Sequence, residues 1–440
     1  MTLIKTTKLF FIGLMVFSAS TVCHANGRKA GSVWAINVGG PAYRATDGTS
    51  YNAEESIKGG EIRVLETILG SQDELLYKSY REGDIEVDRK IAAGRYTVTF
   101  HFAEPSAVEA SQRTFDVFIE GRRVIDDLDV MMFRDGKSES ALTVTVPDVN
   151  VDDGEINISF AAGNGSPLLS ALVIRDAIPR DPQWQLVWSD EFEGGPAPDP
   201  ARWNIDVWPA RVVNDEDQAY TDRPQNLRIE DGLLVIEAHK EDYQNAAYTS
   251  ARIHSMGKGD ILYGRIEVRA KLPVGKGTWS AAWMLPSNPF RYATSCQPGD
   301  QWQGVDDCDA WPNSGEIDIL EHVGYQLGHI HGTVHNKAYY WVTWQQRKGR
   351  IILDDIGDGF HDYVLEWTPE RIDVFVDDQL YFTYVNEGRG WEEWPYDQPF
   401  HLVLNLAIGG AWGRAGGGID DSLFPQRMLI DYVRVYQMHD

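Results

Sequence analysis

Basic charge, cysteine, helical periodicity and long apolar runs are all scarce in this chain. Forty lysines and arginines stand against 66 acids, a formal charge of -26, so polyanions are repelled and nucleic acid is disfavoured as a partner. Three cysteines in 440 residues, spaced as they are, argue against a cysteine metal site. Past the first segment no run approaches the roughly 18 apolar residues that cross a bilayer, so no membrane-spanning helix is expected. Helical periodicity is rare and no internal repeat is visible, which weighs against helical and repeat architectures. What remains is a chain with 43% hydrophobic residues, long enough for two or three domains with sizeable cores.

Residues 1–25 read as a secretory signal: Lys5 and Lys8, an apolar stretch from Leu9 to Phe17, then small residues that set cleavage after Ala25. A lipid anchor on Cys23 is the rival reading, but Ser20, Thr21 and Val22 supply neither the leucine nor the small residue that a lipobox places before its cysteine. If Cys23 leaves with the signal, Cys296 and Cys308 remain as an even pair in an oxidising compartment. A bridge closing that loop and two free thiols are then both open. The mature chain is expected to be secreted, extracellular or periplasmic, and monomeric.

Ile178, Pro179, Arg180, Asp181 and Pro182 read as a linker (178–183), because two close prolines remove backbone donors and force extended geometry. Composition changes there: of 15 tryptophans only Trp34 precedes it. On its N-terminal side Tyr96–Phe102, Phe115–Ile119 and Ile156–Phe160 alternate as half-buried strands. On its C-terminal side Ile266, Val268, Ala270 and Leu272 alternate with charged residues, as do Val433 and Val435 with Tyr432, Arg434 and Tyr436. Turn residues such as Asp231-Gly232, Asp358-Gly359 and Gly416-Gly417-Gly418 punctuate these strands. The fold class expected is all-β, two β-sandwiches in tandem.

The densest signal is Glu316-Ile317-Asp318-Ile319-Leu320-Glu321. Glu316 and Asp318 share one face of a strand by the period of two. Glu321, offset by five from Glu316, falls on the opposite face unless one extra residue at Ile319 or Leu320 forms a β-bulge. An ordinary solvated strand face is the plainer explanation of alternating acids. Against it stand Trp279, Trp283 and Trp311 before the triplet, His335 after it, and three repelling acids with no nearby base, a cost that a catalytic site would justify.

With its surroundings, this acid run resembles glycoside hydrolase family 16, in particular the laminarinase-like members with a bulged Glu-x-Asp-x-x-Glu signature. The resemblance extends through Trp188-Ser189-Asp190-Glu191-Phe192, Tyr248-Thr249-Ser250-Ala251-Arg252, Gly277 to Met284, Leu404-Asn405-Leu406-Ala407 and Asp431 to Tyr436. It implies a jelly-roll-like catalytic domain over 184–440, with a concave sheet forming a substrate cleft. Retaining hydrolysis needs one carboxylate to attack the anomeric carbon and a second, protonated carboxyl about 5–5.5 Å away to release the leaving oxygen. By the family pattern Glu316 is the nucleophile, Glu321 the general acid and then base, and Asp318 the middle acid sharing a proton with the nucleophile. Charge nearby is expected to keep Glu321 protonated.

His335 is expected to hydrogen-bond within the acids, a satisfied core histidine being the alternative. Trp279, Trp283, Trp311 and Trp412 are expected to wall sugar subsites, with Arg252 as a polar partner. The family's Asn-Glu-x-Gln-x-Tyr segment departs here to Asn214-Asp215-Glu216-Asp217-Gln218-Ala219-Tyr220, so Asn214 is expected to be displaced by an insertion. A structural calcium is implied at Asp431 and the Gly232 carbonyl, with Glu191 adding an oxygen, ordinary surface acids being the alternative. No catalytic cofactor is expected.

The N-terminal half, 31–177, is similar to malectin-like carbohydrate-binding domains through Trp34 to Gly40, Phe102-Ala103-Glu104, Phe115-Asp116-Val117 and Asp127-Leu128-Asp129-Val130. That resemblance implies a second sandwich, with a sugar site in which Tyr43, Tyr51, Tyr77 or Tyr80 stack on pyranose faces. Together these readings describe a secreted, retaining endo-β-1,3-glucanase of laminarin type that also accepts mixed-linkage glucan. A β-agarase, a transglycosylase of the same fold and a non-catalytic β-glucan receptor are the rivals. The net charge weighs against sulfated galactans but leaves neutral agarose open.

Overall fold

The computed structural model describes residues 32–438 apart from 55, 106, 107, 135 and 178–182. The signal segment, Cys23 and the proline linker therefore lie outside the described residues. Nearly all regular structure is strand, with a few single turns of helix. Among the described residues no helix is long and apolar enough to cross a membrane.

Before the linker, a six-stranded sheet orders Ala141–Val151, Gly94–Ala103, Ala171–Asp176, Ser32–Asn37, Ser50–Ala53 and Tyr43–Arg44. It packs on a five-stranded sheet that includes Phe115–Ile119 and Glu155–Ala162, around a core containing Phe100, Phe102, Phe115 and Phe160. Phe115–Ile119 alternates buried and part-buried positions, as period-two patterning requires. Gly94–Ala103 differs from its expected half burial, since Tyr96 through Ala103 are all buried. Its inner face fills the core with Val98, Phe100 and Phe102. Its outer face, Thr97, Thr99 and His101, looks across a cavity of about 770 Å³ at Arg347, Tyr381 and Thr383 of the second domain.

Three of the tyrosines expected at a sugar site are packed in the core of this domain. Tyr51 and Tyr77 are buried, their hydroxyls held by the two ring nitrogens of His101 at 3.1 and 2.9 Å. Tyr80 is buried too. None of the three offers a ring face to a sugar, because each is packed into this domain's core. Tyr43 is half-buried, with its hydroxyl donating to Asp73 at 2.8 Å.

The second domain is a two-sheet sandwich. One sheet runs from Gln218–Tyr220 to Gln379–Val385 by way of Gln426–Met438 and Gly264–Lys271; the other orders Asn204–Ile205, Arg252–His254, Phe400–Ile408, Thr278–Pro286, Glu316–Val323, His329–His335 and Arg347–Ile352. Ile266, Val268 and Ala270 alternate into the core against Ile317, Ile319 and Leu320 of the facing sheet. The strand that carries the acids is thus third from the Arg347–Ile352 edge, buried on its inner face by the opposite sheet.

Candidate active site

A one-residue bulge governs the site. Against Thr278–Pro286, Asp318 pairs with Trp283 and Leu320 with Ala282, so Ile319 has no partner. Against His329–His335, Asp318 pairs with Thr333 and Glu321 with His331, which sets two residues, Ile319 and Leu320, against Gly332 alone. Ile319 and Leu320 both turn into the core at 0% exposure, and Glu321 swings to the side of Glu316. The backbone group freed by the bulge is satisfied from the other sheet: the Tyr381 hydroxyl donates to the Ile319 carbonyl at 3.0 Å. A Cβ on Gly332 would approach that hydroxyl to 2.9 Å, so glycine is what lets the tyrosine pass.

Two indoles anchor the outer carboxyls. Trp311 Nε1 donates to Glu316 Oε2 at 3.0 Å, and Trp279 Nε1 donates to Glu321 Oε1 at 3.1 Å. Trp311 follows directly on the loop closed by Cys296 and Cys308, which are joined with S–S 1.95 Å. Trp283 donates to Asn405 Oδ1 at 2.7 Å and lies against the Arg252 guanidinium, which is sandwiched between Trp283 and Trp208 at 4.9 and 4.6 Å. Arg252 is buried and bonded through Nε to Asp206 at 2.9 Å, so it backs an aromatic wall rather than standing free for a substrate. Trp412 packs edge-on against Trp279 at 5.5 Å.

Burial pushes Glu316 up to about 8, with repulsion from Glu321 second and the Trp311 N–H and Arg252 pulling the other way. Asp318 is raised well above the ordinary range by burial, then by Glu321 and Glu316, with nothing opposing. When one of this pair ionises, Glu316 is therefore the better supported, and Asp318 keeps its proton. The ligand atoms of Glu316, Asp318 and His335 lie within 4.8 Å of one another. Such crowding would also suit a cation.

His335 departs from expectation. Its Nε2 stands 3.6 Å from Asp318 and 3.7 Å from Glu316, beyond hydrogen-bonding distance. Burial, reinforced by Lys348, lowers its pKa to about 3, so the ring faces the acids as a neutral wall. Asn214 is exposed in a left-handed conformation, its carbonyl accepting from Ala411 N at 3.0 Å and its side chain donating to Glu216 at 3.3 Å. It thus sits beside Trp412. The chain's Glu-x-Gln-x-Tyr spacing survives at Glu216, Gln218 and Tyr220, which are buried and linked through Glu216 Oε2 and onward from the Tyr220 hydroxyl to Asn405. The alternation of Glu216, Gln218 and Tyr220 was the signal available for this network. Tyr381 had none, since nothing local ties it to residue 319.

The three positions expected to hold calcium converge at one end of the other sheet: Asp190 pairs with Val433, Leu234 with Ile430, and Gly232 turns between them and Asp431. Both carboxylates are engaged there, Glu191 with Arg434 at 2.8 Å and Asp431 with Arg269 at 3.3 Å.

Opposed sheets, a bulged acid strand and indole-held carboxyls are features of a carbohydrate-cleaving sandwich. Glycosyl hydrolases family 16 matches residues 214–434 and the Malectin domain matches 32–176. A beta-glucanase of Rhodothermus marinus is 46% identical over 268 residues, 60% of this chain and 88% of that protein. A glucan endo-1,3-beta-glucosidase of Cryptopygus antarcticus is 37% identical over 240 residues, 52% of this chain and 81% of its own. The solved structure of the laminarinase from Rhodothermus marinus superposes with a TM-score of 0.54 at 46% identity, covering 59% of this chain and 100% of that one. The chain belongs to glycosyl hydrolases family 16 and is a glycoside hydrolase.

Two predictions follow from this geometry. Glu316 holds its proton more tightly folded than unfolded, so its burial costs least below about pH 4.5 and most above about pH 8. Glu316→Gln should therefore gain thermal stability over the wild type as pH rises through that window, by a few degrees at pH 8, and a flat difference in Tm across it would contradict the raised carboxyl. Tyr381→Phe strips the bulge carbonyl of its donor, and kcat should fall roughly 10- to 100-fold with KM little changed; unchanged kcat would show that the bulge holds its shape unaided.

Proposed function

We propose that this chain is a secreted, retaining endo-β-1,3-glucanase that also cuts mixed-linkage β-1,3-1,4-glucan. The observation that carries the reading is the bulge that sets Glu316, Asp318 and Glu321 on one face among tryptophans. Relatives named for glucan hydrolysis support the substrate class. Ionised Glu316 attacks the anomeric carbon while Glu321 protonates the departing glycosidic oxygen. Asp318 lends its proton to Glu316 as that carboxylate reforms. Once Glu316 is consumed in the glycosyl bond, Glu321 loses a repelling neighbour, gives up its role as acid and draws the proton from the incoming water. The tryptophans meet the apolar faces of the sugar rings, and hydroxyls find Glu216-linked polar groups. The Cys296–Cys308 bond supports an oxidising compartment and hence export.

Laminarin, lichenan and agarose separate the rivals. New reducing ends on laminarin, weaker release from lichenan and none from agarose are expected, with the β-anomer of the product appearing first by NMR. Binding without new ends would make the protein a receptor, products longer than the substrate a transglycosylase, and cleavage of agarose alone a galactan hydrolase. Glu316→Gln and Glu321→Gln should each lower kcat by roughly three orders of magnitude or more with the fold intact.

Calcium belongs to the same proposal. Asp431 and the Gly232 carbonyl would hold a hard cation, with Glu191 adding an oxygen, if the two acids left Arg269 and Arg434. Adding millimolar calcium to chelator-treated protein should then raise Tm by several degrees, and an unchanged Tm would assign these acids to their arginines alone.

A further inference from the structure

The segment 336–346, between His329–His335 and Arg347–Ile352, carries Tyr340, Trp341 and Trp344, none of which the acid site uses. Its base is locked. Asn336 donates to the Glu393 carbonyl at 2.8 Å, Ala338 N to the Glu392 carbonyl at 2.8 Å, and Tyr339 lies under the Arg347 guanidinium at 3.9 Å. Its apex is bare: Trp341 is 46% exposed and Val342 51%. A bulky indole left in water on a fixed turn is a surface awaiting an apolar partner.

Its position says which partner. Tyr340 meets Trp311 edge-on at 5.9 Å, and Trp311 is the residue whose indole holds Glu316. The aromatic run Trp311, Tyr340, Trp341 thus leads away from the acids. It lies on the opposite side of the acid strand from Arg252, since two strands, Phe400–Ile408 and Thr278–Pro286, separate Arg252–His254 from Glu316–Val323 while His329–His335 follows directly after it. A polymer threaded past the acids toward that side meets these rings next.

The far leg of the loop is gripped by the N-terminal domain. Trp344, in a left-handed conformation, gives its carbonyl to the Arg134 guanidinium, and Lys137 Nζ sits over its ring at 4.9 Å. Gly70 lies against the same carbonyl, where a Cβ would come to 2.8 Å. Arg134 is also bonded to Ser140 at 3.2 Å, which ties the grip to its own domain.

We propose that Tyr340 and Trp341 form an aromatic platform for glucose rings of a β-glucan chain beyond those held at the acids, and that the malectin domain serves this platform by fixing Trp344. Trp341 binds polymer; Arg134 and Lys137 are positioning residues that act through Trp344. The inference rests on the glucanase reading and adds to it a preference for long chains.

The test uses the full chain as wild type, Trp341→Ala, Trp341→Phe and Lys137→Ala, with kinetics on laminarin and on a β-1,3-linked glucose trisaccharide. Trp341→Ala should raise KM for laminarin about five- to tenfold with kcat nearly unchanged, and leave kcat/KM on the trisaccharide within about twofold. Trp341→Phe should recover most of the affinity, and Lys137→Ala should reproduce part of the loss on laminarin alone. An equal loss on both substrates, or none on either, would overturn the platform, as would a variant that changes only the oligomeric state by sedimentation. A wild-type chain inert on every β-glucan would remove the glucanase reading and this inference together; an active wild type with Trp341→Ala kinetically unchanged removes this inference alone.

Discussion

A single residue without a ladder partner on the neighbouring strand, Ile319, sets the arrangement of the three acids. Without the bulge, the period of two would send Glu321 into the sandwich core and Leu320 onto the open face. With it, two adjacent aliphatic side chains are buried in succession and the third acid joins the other two. The kink is not left to the strand itself. Tyr381, reaching over from the opposite sheet, occupies the carbonyl that the ladder leaves idle, so the packing of one sheet on the other and the aim of Glu321 are the same structural fact.

Around that kink the electrostatics divide the labour. Two buried carboxyls that both resist ionisation would be inert if their surroundings were alike. They are not, because Glu316 has an indole N–H and a distant guanidinium in its favour and Asp318 has neither. Such asymmetry is how neighbouring acids acquire different tasks. Arg252 contributes at range, from between two tryptophans, and His335 contributes by being neutral.

The N-terminal domain is more than an appendage in this structure. Its six-stranded sheet presents threonines and His101 to the hydrolase domain across a cavity, and its Arg134 and Lys137 hold Trp344 in the loop whose Tyr340 meets Trp311. Covering a sheet face in this way explains why Gly94–Ala103 is buried on both sides although its sequence alternates no differently from strands that face water.

Local pattern carried much of this. Alternation marked Phe115–Ile119, Gly264–Lys271 and the acid strand, because side-chain direction along a strand depends only on neighbours in sequence, and an offset of five between glutamates already demanded an irregularity. The chemistry of three acids among tryptophans was legible for the same reason. Other features depend on residues far apart in the chain. Which indole holds which carboxyl, the donation from Tyr381, the distance that denies His335 a hydrogen bond and the burial that removes Tyr51 and Tyr77 from any sugar surface are set by register between strands and by one sheet or domain lying on another. The amino-acid order determined the strands and the reactive groups they carry; the tertiary structure alone decided their partners, because hydrogen bonds and desolvation act across space and have no sequence separation.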